Sequence, residues 1–279
     1  MTLKRFLKLY AFYAKMDMAW LLRDPMFSVT AVVCDIISNL SSVGTVFLLA
    51  WSFGGIGGMN RYEVLVMLAY TTLVDGVFTV FFANANIGHI SRRIGRGQLD
   101  HMFIQPMPLI TQILTEGFIP FTGSSSLITG GVLMAVALHL LGIIPPWWWI
   151  FALLGSLALT LIIIIASSYL ASSITFYAPV QAEEISTYII DTQGSISRYP
   201  LSGMPRPAQY VLLSVIPAGL LGWFPTLALL GKAPINIPAW YPVLFAALLS
   251  AIAAYTFRKG LNYYVKKGIN RYLAFGHRR

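Results

Sequence analysis

The chain has 279 residues, and its composition excludes a soluble globular protein. Hydrophobic residues make up 57% and charged residues only 10%, whereas a typical soluble domain is about 25% charged. The same values exclude a disordered chain. The single cysteine excludes a disulfide framework and a cysteine-based metal cluster. The formal net charge of +9 comes from unevenly placed basic residues, a pattern that in a membrane protein indicates orientation rather than nucleic-acid binding.

Residues 1–25 have the pattern of an amphipathic helix that lies in the membrane interface. Lys4, Lys8 and Lys15 fall on one side of such a helix, where they face anionic lipid headgroups. We expect no cleavable signal peptide, because no unbroken apolar stretch of the needed length precedes Pro25. The opposite side of the helix carries the apolar and aromatic residues Leu3, Phe6, Leu7, Tyr10 and Tyr13.

Several later segments are long and apolar enough to cross a bilayer, which takes about 20 residues of helix. The region 178–238 is less regular. Residues 184–200 read as a helix but carry Asp191 and Arg198, and residues 208–230 are interrupted by Pro217 and Pro225. The clear spans are 27–51, 63–82, 118–141, 147–177 and 241–257.

The distribution of lysine and arginine predicts the number of spans. Residues 1–25, the loop 88–108 and the tail 258–279 together hold 15 of the 19 basic residues. An even number of spans puts all three on the cytoplasmic side, as basic loops prefer. Six spans are therefore expected, with 184–200 as the fifth and 201–237 as an outer re-entrant segment bent at Pro217 and Pro225. The alternative layout makes 207–231 the span and leaves 179–206 in the cytoplasm.

The predicted fold is thus an all-α integral membrane protein. An interfacial helix over 1–25 precedes one membrane domain over 26–279, which comprises six transmembrane helices, a cytoplasmic helix in the loop 88–108, a re-entrant segment before the last span and a basic cytoplasmic tail.

The loop 88–108 is too long and too patterned for a simple turn. Gly95 and Gly97 interrupt the helix that leaves the membrane, and residues 98–104 form a short helix that ends before Pro106. Leu99, Met102 and Phe103 give this helix an apolar face at helical spacing, suited to docking in the groove of a partner. The alternative is that the arginines of the loop only set the topology.

Polar residues inside the predicted spans form two stripes. Asp35, Asn39 and Ser42 share one face of the first span. Asp75 lies in the second span and belongs to neither stripe. A carboxylate at the bilayer centre costs about 2.5–3.5 kcal/mol, so such residues usually face a cavity or a partner. The two stripes predict that the first and fifth spans line a hydrated path. The alternatives are local hydrogen bonds for each carboxylate and an Asp191–Arg198 ion pair. The second stripe, in the fifth span, consists of Glu184, Tyr188, Asp191, Ser195 and Arg198.

The order of these elements resembles the permease subunits of type-2 ATP-binding-cassette (ABC) exporters, over essentially the whole chain. Within that group it is similar to a bacterial branch with paired permeases, whose loop reads Arg-x-Gly-Glu-Leu-Asp followed by a short apolar run and a proline turn. Here the run is Arg96-Gly97-Gln98-Leu99-Asp100, continuing to Pro106. Gln98 stands where the pattern usually has glutamate. Further similarities are the turn 57–63 and the segments 199–201, 216–217 and 224–225.

This resemblance implies half of a transporter in a bacterial inner membrane, with both termini in the cytoplasm. Two permease subunits, alike or homologous, would form the path, and two separate ATPase subunits would bind ATP and Mg²⁺. Residues 98–104 would be the coupling helix, with Arg96, Gly97, Gln98, Leu99, Asp100, Met102 and Phe103 as the coupling residues. The chain itself has no phosphate-binding loop, and we expect it to bind no cofactor, metal or nucleic acid and to catalyse no covalent reaction.

Two other functions remain open. A proton-coupled secondary transporter would use Asp35 or Asp75 as a proton relay, and a membrane enzyme acting on lipids would need a cluster of catalytic residues at the interface. If the chain is an exporter, Asp35 and Asp191 favour a cationic or zwitterionic amphiphile, such as a peptide or hydrophobic drug, over an anion.

Overall fold

The protein is almost entirely helical in a computed structural model that describes residues 3–83, 88–115, 117–234 and 237–267. The elements, in chain order, are α1 (Leu3–Arg23), α2 (Pro25–Ser52), β1 (Gly55–Ile56), β2 (Met59–Asn60), α3 (Arg61–Phe78, continued by a π-helical turn Thr79–Ala83), α4 (Ile90–Gly95), α5 (Leu99–Phe103), α6 (Leu109–Thr115), α7 (Ser124–Leu140), α8 (Trp149–Ser172, continued by a 3-10 turn Ser173–Phe176), α9 (Ile185–Ser197), a 3-10 turn Leu201–Gly203, α10 (Arg206–Ser214), a 3-10 turn Pro217–Leu220, α11 (Trp223–Leu229) and α12 (Tyr241–Lys267).

Four described helices are long and apolar enough to cross a membrane: α2, α3 with its π turn, α8 with its 3-10 turn, and α12. The segments 206–214 and 217–229 pass the same test together, but a bend of 73° separates them. Helix α7 is apolar and has 17 residues, and α9 has 13. The prediction of an all-α membrane protein is therefore confirmed, while the count of six spans stays a prediction.

Helix α7 begins later than the sequence predicted, at Ser124 rather than near residue 118. Pro120 cannot donate a backbone hydrogen bond, and the chain turns through Gly123 before the helix starts. Asp17 of α1, which is 7% exposed, accepts hydrogen bonds from the Phe121 nitrogen at 2.8 Å and from the Thr122 hydroxyl at 2.6 Å. The N-terminal helix is thereby joined to the start of α7.

Helix α3 is the most buried of the long helices, and its closest neighbour is α7. A Cβ on Gly76 would lie 2.4 Å from the Leu127 nitrogen, and a Cβ on Gly130 would lie 2.7 Å from the Leu73 nitrogen. Two backbones can approach this closely only where small residues occupy the crossing. The small residues of α7 are thus used for helix packing.

The segments that connect the long helices lie at the two ends of the bundle. At one end, which we call the basic end, Tyr264 of α12 donates to Asp100 at 2.5 Å, and the ring of Phe176 packs against Gly260. At the opposite end, Trp149 donates to the Leu229 carbonyl at 3.1 Å. Residues 88–108 and 173–184 lie at the basic end. The predicted basic tail begins there too, although its residues 268–279 lie outside the described part of the chain.

The bent segment 206–229 starts and finishes at the opposite end. A Cβ on Gly203 would lie 3.0 Å from the Gly57 Cα, and Lys232 forms an ion pair with Glu63 at the first turn of α3. Pro217 begins the 3-10 turn after the bend, and Pro225 lies in the first turn of α11. Both prolines thus occupy positions where a missing N–H donor does not break a helix. Residues 235 and 236 of the predicted re-entrant segment lie outside the described residues.

Candidate functional site

A polar cleft of about 390 Å³ lies between α3 and α9. Arg198, directly after α9, donates from Nη2 to Oδ2 of Asp75 at 2.9 Å. Asp191 lines the same cleft, one α9 turn from Ser195, and is close enough to Asp75 for an electrostatic interaction. Arg198 thus pairs with Asp75 on a neighbouring helix, and not with Asp191 as the sequence also allowed.

The charges of the cleft favour a positive group. Two carboxylates, Asp75 and Asp191, face one guanidinium, that of Arg198, so the cleft carries an excess of one negative charge when both carboxylates are ionised. Ser195 adds a hydroxyl that can donate or accept a hydrogen bond. An ammonium group that enters would find one carboxylate, Asp191, without an ion pair in the described part of the chain.

The polar face of α2 contacts α7 rather than this cleft. Ser125 donates to the Asp35 carboxylate, and Asn39 donates to the Ser126 hydroxyl at 2.8 Å. These bonds correspond to the alternative in which nearby hydroxyls satisfy the polar groups. Ser42, one turn further along α2, is half-buried. The structure therefore does not bring Asp35, Asn39 and Ser42 together with Asp191 and Ser195 within one chain.

Tyr188 also lies apart from the polar cleft. It is 71% exposed and lines a second, apolar cavity between α8, α9 and α12. The predicted stripe on α9 is consequently split, because residue 188 faces one cavity while residues 191, 195 and 198 face the other.

The short helix predicted over 98–104 forms as α5, but its apolar face is mostly internal. Leu99 is 1% and Met102 is 2% exposed, and both pack in a cluster with Ile94 of α4, Phe176 and Tyr264. The expectation that Leu99 and Met102 present an exposed docking face is therefore wrong. A helix of five residues cannot stay folded alone in water, so these two side chains anchor it to the bundle instead.

The exposed apolar surface of this loop is its far end. Phe103 is 43% and Ile104 is 80% exposed, and Gln98 is exposed as well. Asp100 accepts the hydrogen bond from Tyr264. Gly97 has a φ of +67° in the turn between α4 and α5, a conformation that glycine adopts without steric cost.

Helix α4, in the first half of the loop 88–108, is joined to the start of α9 by hydrogen bonds and ion pairs. A Cβ on Gly95 would lie 2.8 Å from the Pro179 carbonyl oxygen, so the two backbones are nearly in contact. We call this set the α4–α9 contact. Its side-chain pairs are His89–Thr187 at 3.0 Å, Ser91–Ser186 at 2.5 Å, Arg92–Glu184 at 2.7 Å and Arg96–Glu183 at 2.6 Å.

The partners of these arginines were not predicted from the sequence. Arg92 and Arg96 were assigned to topology and docking, whereas Glu183 and Glu184 lie more than 80 residues later. A usable signal was present, since Glu183-Glu184 is the only adjacent pair of acidic residues in the sequence and the loop 88–108 carries three arginines.

His89 is the one histidine among the residue pairs of the α4–α9 contact. Burial lowers the pKa of its imidazole, and the nearby Arg92 cation lowers it further, although Asp191 and Glu184 act in the opposite direction. The net direction is downward, so the ring is held neutral when it meets Thr187. Within the described residues, no group of three or more His, Cys, Asp or Glu side chains is placed to hold a metal ion.

A bundle of apolar helices with a charged cleft and a folded basic loop defines a multi-pass integral membrane protein. The family model described as "ABC-2 family transporter protein" matches residues 37–268, and the chain therefore belongs to this family of ABC transporter permeases. Membership implies an ATPase partner in an ABC system. Comparison with curated proteins and with solved structures gave no significant match.

Proposed function

We propose that this chain is the permease subunit of an ATP-driven exporter of the bacterial inner membrane. A second permease, identical or homologous, completes the path, and two ATPase subunits that bind ATP and Mg²⁺ dock at the basic end. The permease moves its substrate by alternating access and makes no covalent bond. The observation that carries the proposal is the α4–α9 contact, because it connects the docking loop 88–108 directly to the helix that lines the polar cleft.

The proposed layout has six spans, α2, α3, α7, α8, α9 and α12, with both termini in the cytoplasm. Residues 1–25 lie in the interface, and residues 26–279 form one membrane domain. Because Gly203 and Lys232 both lie near the start of α3, the segment between them returns to the side it came from, which supports a re-entrant element. Helix α9 is about 20 Å long at 1.5 Å per residue, and residues 198–203 complete the crossing, because Gly203 lies beside Gly57 at the opposite end.

The coupling step follows from these contacts. A displacement of the loop 88–108 by the ATPase moves α4, and the ion pairs to Glu183 and Glu184 pass that displacement to α9. Movement of α9 relative to α3 changes the Asp75–Arg198 pair and the width of the cleft. Transport then requires the substrate to interact differently with the two arrangements.

The proposed path consists of the cleft residues Asp191 and Ser195, with Asp35, Asn39 and Ser42 contributing where α2 and α9 of the two permeases meet. Tyr188 lies on the other side of α9, in the wall of the apolar cavity, and is left out of this path. Coupling involves Arg96, Gly97, Gln98 and Asp100 through the position of the loop, Leu99 and Met102 through its anchorage, and Phe103 through direct contact. The negative excess in the cleft supports a cationic or zwitterionic amphiphile as the substrate.

Recovery of the ATPase subunit by a tagged chain tests the docking surface. Ile104→Asp changes the exposed isoleucine of the basic loop, and Ile144→Asp is the matched control at the opposite end, where the residue is 92% exposed. We expect ATPase recovery to be lost in Ile104→Asp and kept in Ile144→Asp. Full recovery with both variants would refute docking at this loop.

Transport by reconstituted vesicles tests the energy source. With a lipophilic cationic dye as the probe, we expect uptake into inverted vesicles to require ATP and the ATPase subunit, and to persist when a protonophore collapses the proton gradient. Asp191→Asn should reduce this uptake. Uptake that needs the gradient but no ATPase would instead establish a proton-coupled transporter.

A further inference from the structure

A second cavity, of about 610 Å³, lies outside the polar cleft, between α8, α9, α12 and the turn after α10. Its walls are formed mainly by hydrocarbon side chains, among them Leu170, Ile189, Phe245 and Leu249. A volume of this size falls in the range of roughly 300–1,000 Å³ that is typical of pockets for one small organic molecule. It is large enough for a single acyl chain and too small for a whole diacyl lipid.

The cavity is open at the side of the bundle. Among its lining residues, Tyr188 of α9 and Val215 after α10 are 71% and 75% exposed, and Ile174 is 52% exposed. In a protein whose helices span a bilayer, an apolar opening on the flank of the bundle faces lipid rather than water. A molecule can therefore enter it sideways from the membrane.

One buried polar group inside this cavity has no partner within the described residues. Gln193 of α9 is 3% exposed, and its Oε1 atom makes no hydrogen bond there. Buried amides are almost always hydrogen-bonded, because an unpaired one carries its full desolvation penalty. As placed, Oε1 would accept a hydrogen bond from a donor on a ligand. With the amide turned by half a rotation, its N–H group takes this position and donates to an acceptor on the ligand.

Charge identifies the end at which a headgroup would lie. Lys259 of α12 is the one charged residue lining the cavity in the described part of the chain. It lies five residues before Tyr264, and so near the basic end, whereas Phe245 lies about 21 Å further along α12 at 1.5 Å per residue. The cavity therefore runs from a cation at the membrane surface to a hydrocarbon interior.

We propose that this cavity binds one anionic phospholipid from the leaflet at the basic end. The phosphate contacts Lys259, one acyl chain occupies the apolar walls, and a glycerol-ester carbonyl accepts a hydrogen bond from the Gln193 amide. The site rests on the proposed orientation of the basic end towards the cytoplasm, but it does not depend on ATPase docking. A bound lipid also holds α9 and α12 at a fixed separation.

Lipid retention by the chain alone tests the charge recognition. The protein is purified from nanodiscs of phosphatidylcholine with phosphatidylglycerol as the minor component, and native mass spectrometry counts the retained lipids. We expect the wild type to retain one phosphatidylglycerol, and Lys259→Gln to weaken its retention roughly tenfold. Lys266→Gln is the control, because it removes an equal charge from the same helix outside the cavity. Equal losses in the two variants, or equal retention of both lipids by the wild type, would refute the site.

The ester contact has a separate test. Ether-linked phosphatidylglycerol carries the same headgroup but no carbonyl. We expect the wild type to retain the ester lipid more strongly than the ether lipid, and Gln193→Leu to abolish this preference while still retaining phosphatidylglycerol over phosphatidylcholine. A preference that survives in Gln193→Leu would overturn the assignment of the amide. Because ATPase is absent throughout, these outcomes do not depend on the exporter proposal.

Discussion

Arg198 and Asp75 form an ion pair of 2.9 Å that joins the end of α9 to α3. Removing one partner leaves the other charge uncompensated, so we expect Asp75→Asn or Arg198→Gln to lower the free energy of unfolding by about 1–2 kcal/mol. This is less than the 3–5 kcal/mol for fully buried pairs, because both side chains are partly exposed. Unfolding experiments on the purified variants in mixed micelles measure these changes in the free energy of unfolding.

The reversed pair is the control for this interaction. Asp75→Arg combined with Arg198→Asp should recover part of the lost stability, because it restores the attraction with opposite polarity. Arg206→Gln, at an exposed position of α10, should have little effect. If the reversed pair is no more stable than the single variants, the ion pair does not hold the two helices together.

A cysteine pair can lock the α4–α9 contact. The Ser91 and Ser186 hydroxyl oxygens lie 2.5 Å apart, close to the sulfur–sulfur length of a disulfide. In a background with Cys34→Ser, we expect Ser91→Cys with Ser186→Cys to form a disulfide on oxidation. Because the proposed coupling step has α4 carry α9 with it, we expect transport to continue with the disulfide fully formed. Transport that stops on oxidation and returns with a reductant would show that the two elements must separate.

Gly76 of α3 is tightly packed against α7, whereas Gly131 of α7 has open space beside it. A Cβ on Gly76 would clash with the Leu127 backbone at 2.4 Å, whereas a Cβ on Gly131 would have nothing within 4 Å. We expect Gly76→Ala to cost about 1–3 kcal/mol of stability, as overpacking does, and Gly131→Ala to be neutral or slightly stabilising. Thermal unfolding of the two variants in one detergent gives the comparison. Equal melting temperatures would contradict the close crossing.

The buried carboxylate of Asp17 should contribute more to the stability of the fold than its place in the N-terminal helix suggests. Asp17→Ala leaves the Phe121 and Thr122 amides without their acceptor, and unpaired buried donors cost about 1–3 kcal/mol. Asp24→Ala removes a single exposed cap bond to Phe27, for which about 1 kcal/mol is typical. We therefore expect the Asp17 variant to unfold first on heating, and the reverse order would show that α1 is not anchored through this residue.

Acid should weaken the α4–α9 contact through His89. Its pKa is lower in the folded protein than its usual value of 6.5, so the unfolded chain takes up a proton first as the pH falls. The stabilisation is complete above that usual value and is lost as the pH falls through the folded pKa. We expect His89→Gln to reduce the fall in melting temperature between neutral and acidic buffer, and exposed His139→Gln to leave it unchanged. A pH dependence identical in wild type and His89→Gln would contradict this role.

The sequence predicted the helices best where hydropathy alone decides. The spans around α2, α3 and α8 appear within a few residues of their expected bounds, because long apolar runs have one stable arrangement in a bilayer. Helix α12 begins at the expected residue but continues to Lys267, ten residues into the predicted tail. The sequence also located the short loop helix, since Gly97 and Pro106 limit it on both sides. The sequence did not predict that Leu99 and Met102 face the helix bundle. Periodicity identifies an apolar face of a helix, but it does not say what covers that face.

The ionic contacts were the least predictable part of the candidate site. Arg92, Arg96 and Arg198 each find a carboxylate more than 85 residues away in sequence, and no local pattern encodes such pairs. The polar stripe on α9 was recognised as one feature, yet the helix lies between two cavities and its residues are divided between them. Only the packing of α8 and α12 on one side and α3 on the other decides that division.

The hydrogen bond from Tyr264 to Asp100 has a consequence for biogenesis. The surface at Phe103 and Ile104 is formed from the first half of the chain, yet it rests on a residue near the end of α12. A growing polypeptide on the ribosome cannot complete this surface until its last helix has been inserted. With the docking proposed above, the ATPase subunit binds only after α12 has been inserted, and products truncated before Tyr264 remain unassembled.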